Sequence, residues 1–215
     1  MTIELVVFDV DGTLTQHNSV WWRLHEHFGT TDMGKIYFDQ YFAGEISYDQ
    51  WADLDAGLWR GRTLEDVMNV VNATKLTPGA EETVQILKKY HIKTAILSGG
   101  LDVMAKEIGQ RVGIDYVLTN ILLHQNGIIT GKVENLVAWG GKSKAILQIV
   151  NHFDIPLEKT AYVGDGRNDM TVFEVVGLSF AYNPEHEEVA NAATIVIREN
   201  NLQAILPHII SEFQQ

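Results

Sequence analysis

The sequence contains no cysteine, which excludes disulfides, zinc–thiolate sites and a thiol nucleophile. No apolar run approaches the ~18 residues of a membrane-spanning helix. The chain also lacks an opening with a charged n-region, a long apolar stretch and a cleavage site. These absences predict a cytoplasmic protein that does not engage a membrane. Basic residues are few, 16 Lys and Arg against 28 Asp and Glu, for a formal charge of −12. Binders that track a nucleic-acid backbone need a basic patch, so nucleic acid is not an expected partner. There is no long internal repeat and no low-complexity tract. What remains is 215 residues, 46% hydrophobic and 20% charged, enough for one sizeable core with a smaller inserted module.

The most informative stretch is Asp9-Val10-Asp11-Gly12-Thr13-Leu14. The run Ile3 to Phe8 before it is short, apolar and β-branched, as suits a strand buried on both faces. Two carboxylates then stand at i and i+2, where that strand should end. Like charges so close persist only if a cation bridges them or one keeps its proton. The pair therefore reads as a metal site, or as a nucleophile beside an acid. The plain alternative is a solvated Asp-x-Asp turn.

After Leu14 the texture changes. Residues 16–75 carry Trp21, Trp22, Trp51 and Trp59 with Phe28, Tyr37, Phe38, Tyr41, Phe42 and Tyr48, in helical rather than alternating spacing. Val20, Leu24, Phe28, Ile36, Tyr37 and Tyr41 mark apolar faces. Ser47 with Gln50 predicts a capping box for a helix near 48–59, and Thr63 opens another helix. From residue 76 strands and helices alternate. A helix is expected from Thr77, as N-cap with Pro78 in the first turn, to Tyr90. Strands are expected over 93–97, 115–118, 160–163, 178–181 and 194–197, and helices over 102–112, 142–152, 168–176, 185–190 and 202–213. Asn126-Gly127 between two apolar runs predicts a two-residue hairpin. The expected fold class is α/β: a three-layer, doubly wound, mainly parallel sheet over 1–15 and 76–215, with a small helical cap over 16–75 inserted after the first strand.

Three further polar clusters fall at predicted strand ends or helix starts. Ser98-Gly99-Gly100 exposes backbone N–H groups near a helix start, which suits a phosphate oxyanion, although an ordinary strand-to-helix turn would look the same. Gly140-Gly141-Lys142-Ser143-Lys144 places a lysine where it could meet an anion, or on the surface. Gly164-Asp165-Gly166-Arg167-Asn168-Asp169 sets two carboxylates four residues apart after a buried strand. Asp165 can reach a divalent cation, Asp169 can hold a coordinated water or fix a lysine, and Asn168 is a neutral donor. Oxygen ligands without cysteine or a spaced histidine pair favour Mg²⁺ over zinc.

These four stretches resemble the signatures of the haloacid dehalogenase-like hydrolases. Leu76 to Glu81, Leu97 to Asp102, and Asn120 with its Asn126-Gly127 hairpin resemble the phosphoserine phosphatase-like branch. The resemblance covers essentially the whole chain. It implies a phosphatase that hydrolyses a small phosphomonoester through an aspartyl-phosphate. Asp9 would be the nucleophile and Asp11 the general acid and base, with Thr13 holding the loop. Ser98, Gly99, Gly100, Asn168 and Thr13 would bind the phosphate, and Lys142, chosen over Lys144, would stabilise the transferring group. Mg²⁺ would be held by Asp9, the backbone carbonyl of Asp11 and Asp165, with Asp169 beside them. The alternatives are phosphoserine phosphatase proper, a phosphotransferase or mutase sharing the intermediate, and a non-catalytic phospho-ligand module.

The chain departs from that branch where serine would be recognised. Asn18 stands for the expected acid and Asp55 for the expected arginine, with Glu26 or Arg60 as possible substitutes. The aromatic cap therefore predicts a phosphorylated alcohol or uncharged metabolite ahead of L-phosphoserine. The histidines read as surface or packing residues, apart from His17 beside the first motif. Met33, Met68, Met104 and Met170 read as core. The oligomeric state is open between monomer and homodimer.

Overall fold

The computed structural model describes residues 2–16 and 19–211. His17 and Asn18, and the expected end of the last helix at Phe213, lie outside them. β1 (Leu5–Phe8) is wholly buried, as its sequence demands. Leu5 and Val7 join one apolar cluster, Val6 and Phe8 another, because successive side chains of a strand point to opposite faces. The other strands are β2 (Lys93–Leu101), β3 (Tyr116–Gln125), β4 (Ile128–Glu134), β5 (Thr160–Gly164), β6 (Leu178–Tyr182) and β7 (Ile195–Ile197). They form one sheet in the order β4-β3-β2-β1-β5-β6-β7. All neighbours run parallel except β3 and β4.

Between β1 and the next core helix stand α1 (Val20–Phe28), α2 (Thr31–Phe42), α3 (Tyr48–Leu58) and α4 (Leu64–Asn72). The core helices are α5 (Ala80–Lys89), α6 (Asp102–Val112), α7 (Lys142–Phe153), α8 (Met170–Phe173), α9 (Glu187–Ala192) and α10 (Leu206–Ile209). Val84, Leu87, Met104 and Ile108 of α5 and α6 cover the Val6 and Phe8 face. Ile146 and Ile149 of α7 cover the Leu5 and Val7 face. This is the expected three-layer α/β arrangement. No helix among the described residues is long and apolar enough to cross a membrane.

Local signals in the insert hold. Ser47 and Gln50 form the capping box of α3, and the Thr63 hydroxyl caps α4. Asn126 and Gly127 both take positive φ, 51° and 77°, in the two-residue hairpin joining β3 to β4. Several expectations need correction. Thr77 does not cap α5: its N–H donates to the Leu14 carbonyl and its carbonyl accepts from Ala80, so Thr77-Pro78-Gly79 form a turn tying the insert's exit to its entry. Helix α5 then starts at Ala80 behind Gly79 in the left-handed region. Strand β2 runs through Ser98-Gly99-Gly100 instead of ending there, with a register shift against β3. Strand β3 absorbs both the expected 115–118 strand and the hairpin arm. Helix α8 covers only Met170–Phe173, preceded by a 3-10 turn at Arg167–Asp169. The last helix is broken into a 3-10 turn at Leu202–Ile205 and α10. Met33 and Ile36 are exposed, because α2 buries only Gly34.

Candidate active site

β1 sits mid-sheet, flanked by β2 and β5, so the carboxyl ends of these three strands open one crevice. Asp9 leaves β1 with its N–H donating to the Val163 carbonyl on β5. Its Oδ1 accepts from the Val10 N–H at 2.7 Å and its Oδ2 lies 3.0 Å from Lys142 Nζ. The chain then makes a wide turn over Val10–Leu14, closed by Thr15 N–H to the Val10 carbonyl. The turn carries Asp11 into the cavity, where Oδ2 accepts from the Val20 N–H at the start of α1. Gly12 takes φ +78°, and a Cβ there would stand 2.1 Å from Asp165 Oδ2. Glycine is thus required for the first motif to lie against the fourth.

Lys142 is buried at the start of α7, while Lys144 is exposed. Lys142 Nζ donates to Asp169 Oδ1 at 2.6 Å and to the Tyr162 hydroxyl at 3.1 Å. The Tyr162 hydroxyl itself donates to Asp169 Oδ1 at 2.7 Å. Asp169 Oδ2 accepts from the N–H groups of Asp165 and Gly166. Asp169 is therefore engaged by four donors, and the 3-10 turn beneath it exists to bring those amides round. At Gly164 a Cβ would stand 2.4 Å from Asp169 Cγ, which again requires glycine.

These surroundings separate the carboxyls. Burial raises Asp9 to about 6 against the opposing pull of Lys142. Burial and the charge of Asp9 raise Asp11 to about 7. Burial and Asp169 hold Asp165 well above the usual carboxylate range. Burial disfavours charge on Lys142, but Asp169 and Asp9 outweigh it and raise its proton affinity. Asp9, Asp165 and Asp169 each offer an oxygen, all within 4.8 Å of one another. An all-oxygen cluster in which Asp9 and Asp165 resist ionising unaided suits a divalent cation.

Of the residues singled out in the sequence, Asp9, Asp11, Ser98, Gly99, Gly100, Lys142, Asp165 and Asn168 all line one cavity of about 630 Å³. Ser98 Oγ accepts from the Gly100 N–H. The Gly99 carbonyl accepts from Trp21 Nε1 and Asn120 Nδ2, at 3.2 and 3.1 Å, so the insert and β3 both fix this turn. Asn120 also donates to the Tyr48 hydroxyl on α3. Thr13 is a correction: it is fully buried off the cavity and its hydroxyl has no hydrogen-bond partner. Asp169 lies behind the cavity wall, on Lys142. Glu26 and Arg60 are exposed and do not line the cavity.

Sequence reasoning missed Tyr162, which reads as one more strand residue and gives no signal of its own. It also missed that His25, read as a surface or packing residue, is buried on the cavity wall beside Asp55. Trp139, Arg167 and His186 complete the rim. Of these, only Arg167 carries a signal in the sequence, since it sits inside the fourth cluster.

Known proteins resemble this chain over most of its length. A phosphoserine phosphatase from Methanocaldococcus jannaschii is 30% identical over 209 residues, 96% of this chain and 97% of that protein. One from Mycobacterium tuberculosis is 30% identical over 195 residues, 89% of this chain; the match spans 47% of that longer protein. A solved structure described as a phospho-aspartyl intermediate analogue of phosphoserine phosphatase superposes with TM-score 0.82 at 28% identity, over 97% of this chain and all of that one. Residues 6–174, from β1 through the turn that holds Lys142 by way of Asp169, match the family pattern itself, and the chain belongs to the haloacid dehalogenase-like hydrolases.

Proposed function

We propose that this protein is a Mg²⁺-dependent phosphomonoester hydrolase working through an aspartyl-phosphate on Asp9. The observation that carries the reading is the unequal setting of two neighbouring carboxyls. Asp9 is pinned by Lys142 and the Val10 amide, so it is ionised at neutral pH and its direction of approach is fixed. Asp11, raised to about 7, holds a proton in part at the same pH. One carboxyl is thus a nucleophile and its neighbour an acid. The relatives' names support the same chemistry.

Asp9 attacks phosphorus while Asp11 gives its proton to the departing alcohol oxygen. Asp11, now ionised, takes a proton from water as that water attacks the aspartyl-phosphate, releasing phosphate and restoring Asp9. Lys142 offsets the charge on Asp9 and on the phosphoryl oxygens. Ser98, the Gly99 and Gly100 backbone and Asn168 orient the phosphate. Asp9, the Asp11 carbonyl and Asp165 would hold Mg²⁺, with Asp169 serving through Lys142. Bound there, the cation would neutralise phosphate charge and let the carboxylates lie together. Residues 16–75 act as a cap over the leaving group.

The test is phosphate release from an aryl phosphate. Wild-type protein should turn over with Mg²⁺, stop with EDTA and recover when Mg²⁺ is restored. Asp9→Asn should lose ~10⁴-fold or more while keeping its melting temperature, because an amide cannot attack. Near wild-type turnover by that variant would remove Asp9 from its role.

A further inference from the structure

The phosphate crevice accounts for only part of the cavity, and the remainder lies between the insert and the core. Its wall carries Trp22, Phe38, Phe42, Tyr48 and Trp51 from the insert and Trp139 from the core. The rings of Phe42 and Trp139 meet edge to face at 5.4 Å, joining the two sides. At about 630 Å³ the space matches sites for ligands well beyond three carbons.

Acidic groups outnumber basic ones on the lining, with Asp9, Asp11, Asp55, Asp165 and Glu185 against Lys142 and Arg167. Lys142 and Arg167 are the lysine and arginine of the lining, and both come from the core. Lys142 is committed to Asp9 and Asp169, and Arg167 pairs with Glu188. The insert supplies His25 and Asp55, both buried, with Nε2 and Oδ1 3.3 Å apart. The Thr30 hydroxyl accepts from Trp59 Nε1 and lies 2.8 Å from His25 Nδ1. The Trp51 indole also approaches Asp55. Yet Nε2, Oδ1 and the Trp51 N–H all lack a hydrogen bond of good geometry. Gly34 makes room for the pair, since a Cβ there would stand 2.7 Å from His25 Nε2.

Resting on the hydrolase reading, we infer that the insert selects phosphomonoesters of carboxylate-free alcohols with an apolar or aromatic body, and that Asp55 sets this choice. A substrate carboxylate would meet aromatic faces and a buried carboxyl, with no uncommitted lysine or arginine on the lining. Ionised, Asp55 repels it; protonated, Asp55 still offers no positive charge. Aromatic rings reward apolar area instead.

O-phosphoethanolamine and O-phospho-L-serine differ only in the carboxylate, so their kcat/KM ratio reads the inference directly. With wild-type protein the ratio should favour phosphoethanolamine by about tenfold or more, with benzyl phosphate ahead of both. Asp55→Asn should shrink the ratio by about threefold or more, since it removes the repelling group. Phosphoserine equal to or ahead of phosphoethanolamine overturns the inference, and an unchanged ratio in a folded Asp55→Asn removes Asp55 from it. The wild-type ratio decides the substrate class even if that variant fails to fold. No turnover of any ester would sink the hydrolase reading. Calorimetric binding of benzylphosphonate against the phosphonate analogue of phosphoserine would then still decide the preference, tighter binding of the serine analogue overturning it.

Discussion

At the core end of the cavity the charged groups interlock. Lys142 bridges Asp9 and Asp169, and Asp169 is met by four donors, two of them backbone amides. At the insert end, Phe38 and Phe42 are 44% and 50% exposed, and the His25–Asp55 pair leaves polar atoms without hydrogen bonds. The contrast follows from what each end must do. Charges in a dry place persist only in a rigid, fully answered network, and a phosphoryl group needs its partners at fixed distances. An organic body needs area and shape, which aromatic contacts give without unique partners. Substitutions at the two ends should therefore differ in both size and kind.

The largest effect is expected at the core end. Asp169→Ala would leave Lys142 with one of its two acids and strip the acceptor from Tyr162, Asp165 and Gly166. Urea unfolding should show a loss of about 3–5 kcal/mol, with turnover falling alongside. A loss below about 1 kcal/mol would mean the network is not the rigid element described, since that is the size of an exposed ion pair.

Next comes the response to pH. Asp9 and Asp11 have folded values of about 6 and about 7, above an ordinary carboxyl. Groups raised on folding give stability that is full below their unfolded value near 3.8 and lost as pH rises through 6 to 7. Metal-free protein should therefore melt lower at pH 8 than at pH 5 from this source. Added Mg²⁺ should raise Tm more at pH 8, where it offsets ionised carboxylates. Equal shifts at both pH values would show that the cation binds elsewhere.

The smallest effect is expected in the insert. Phe38 packs on Phe42 and Trp51 but stays half open to solvent. Phe38→Ala should cost under about 1 kcal/mol of stability. For benzyl phosphate it should raise KM by about tenfold or less rather than lower kcat. A fall in kcat as large as that of Asp9→Asn would erase the distinction between the two ends.

The core end was legible because its chemistry is local in sequence. Asp9 and Asp11 are two residues apart, Asp165 and Asp169 four, and each pair follows a recognisable buried strand. The insert end was less so. Its wall draws Trp22 and His25 from α1, Phe38 from α2 and Trp51 and Asp55 from α3, residue types that packing alone would also explain. Asp55 stood out only against a family pattern, and His25 not at all, because burial of a histidine depends on which helices meet over it.

The sequence by itself determined the sheet, the order of its elements, the hairpin, two helix caps and most of the polar residues that converge on the cavity. These follow from period, turn chemistry and short spacing, which act within a few residues. The resemblance already chose Lys142 over Lys144; only the tertiary structure decided that Thr13 faces away, that Thr77 closes the insert instead of capping a helix, and that Tyr162 joins Asp169 in holding the lysine. Each depends on contacts between elements far apart in the chain, where packing and hydrogen bonding override local preference.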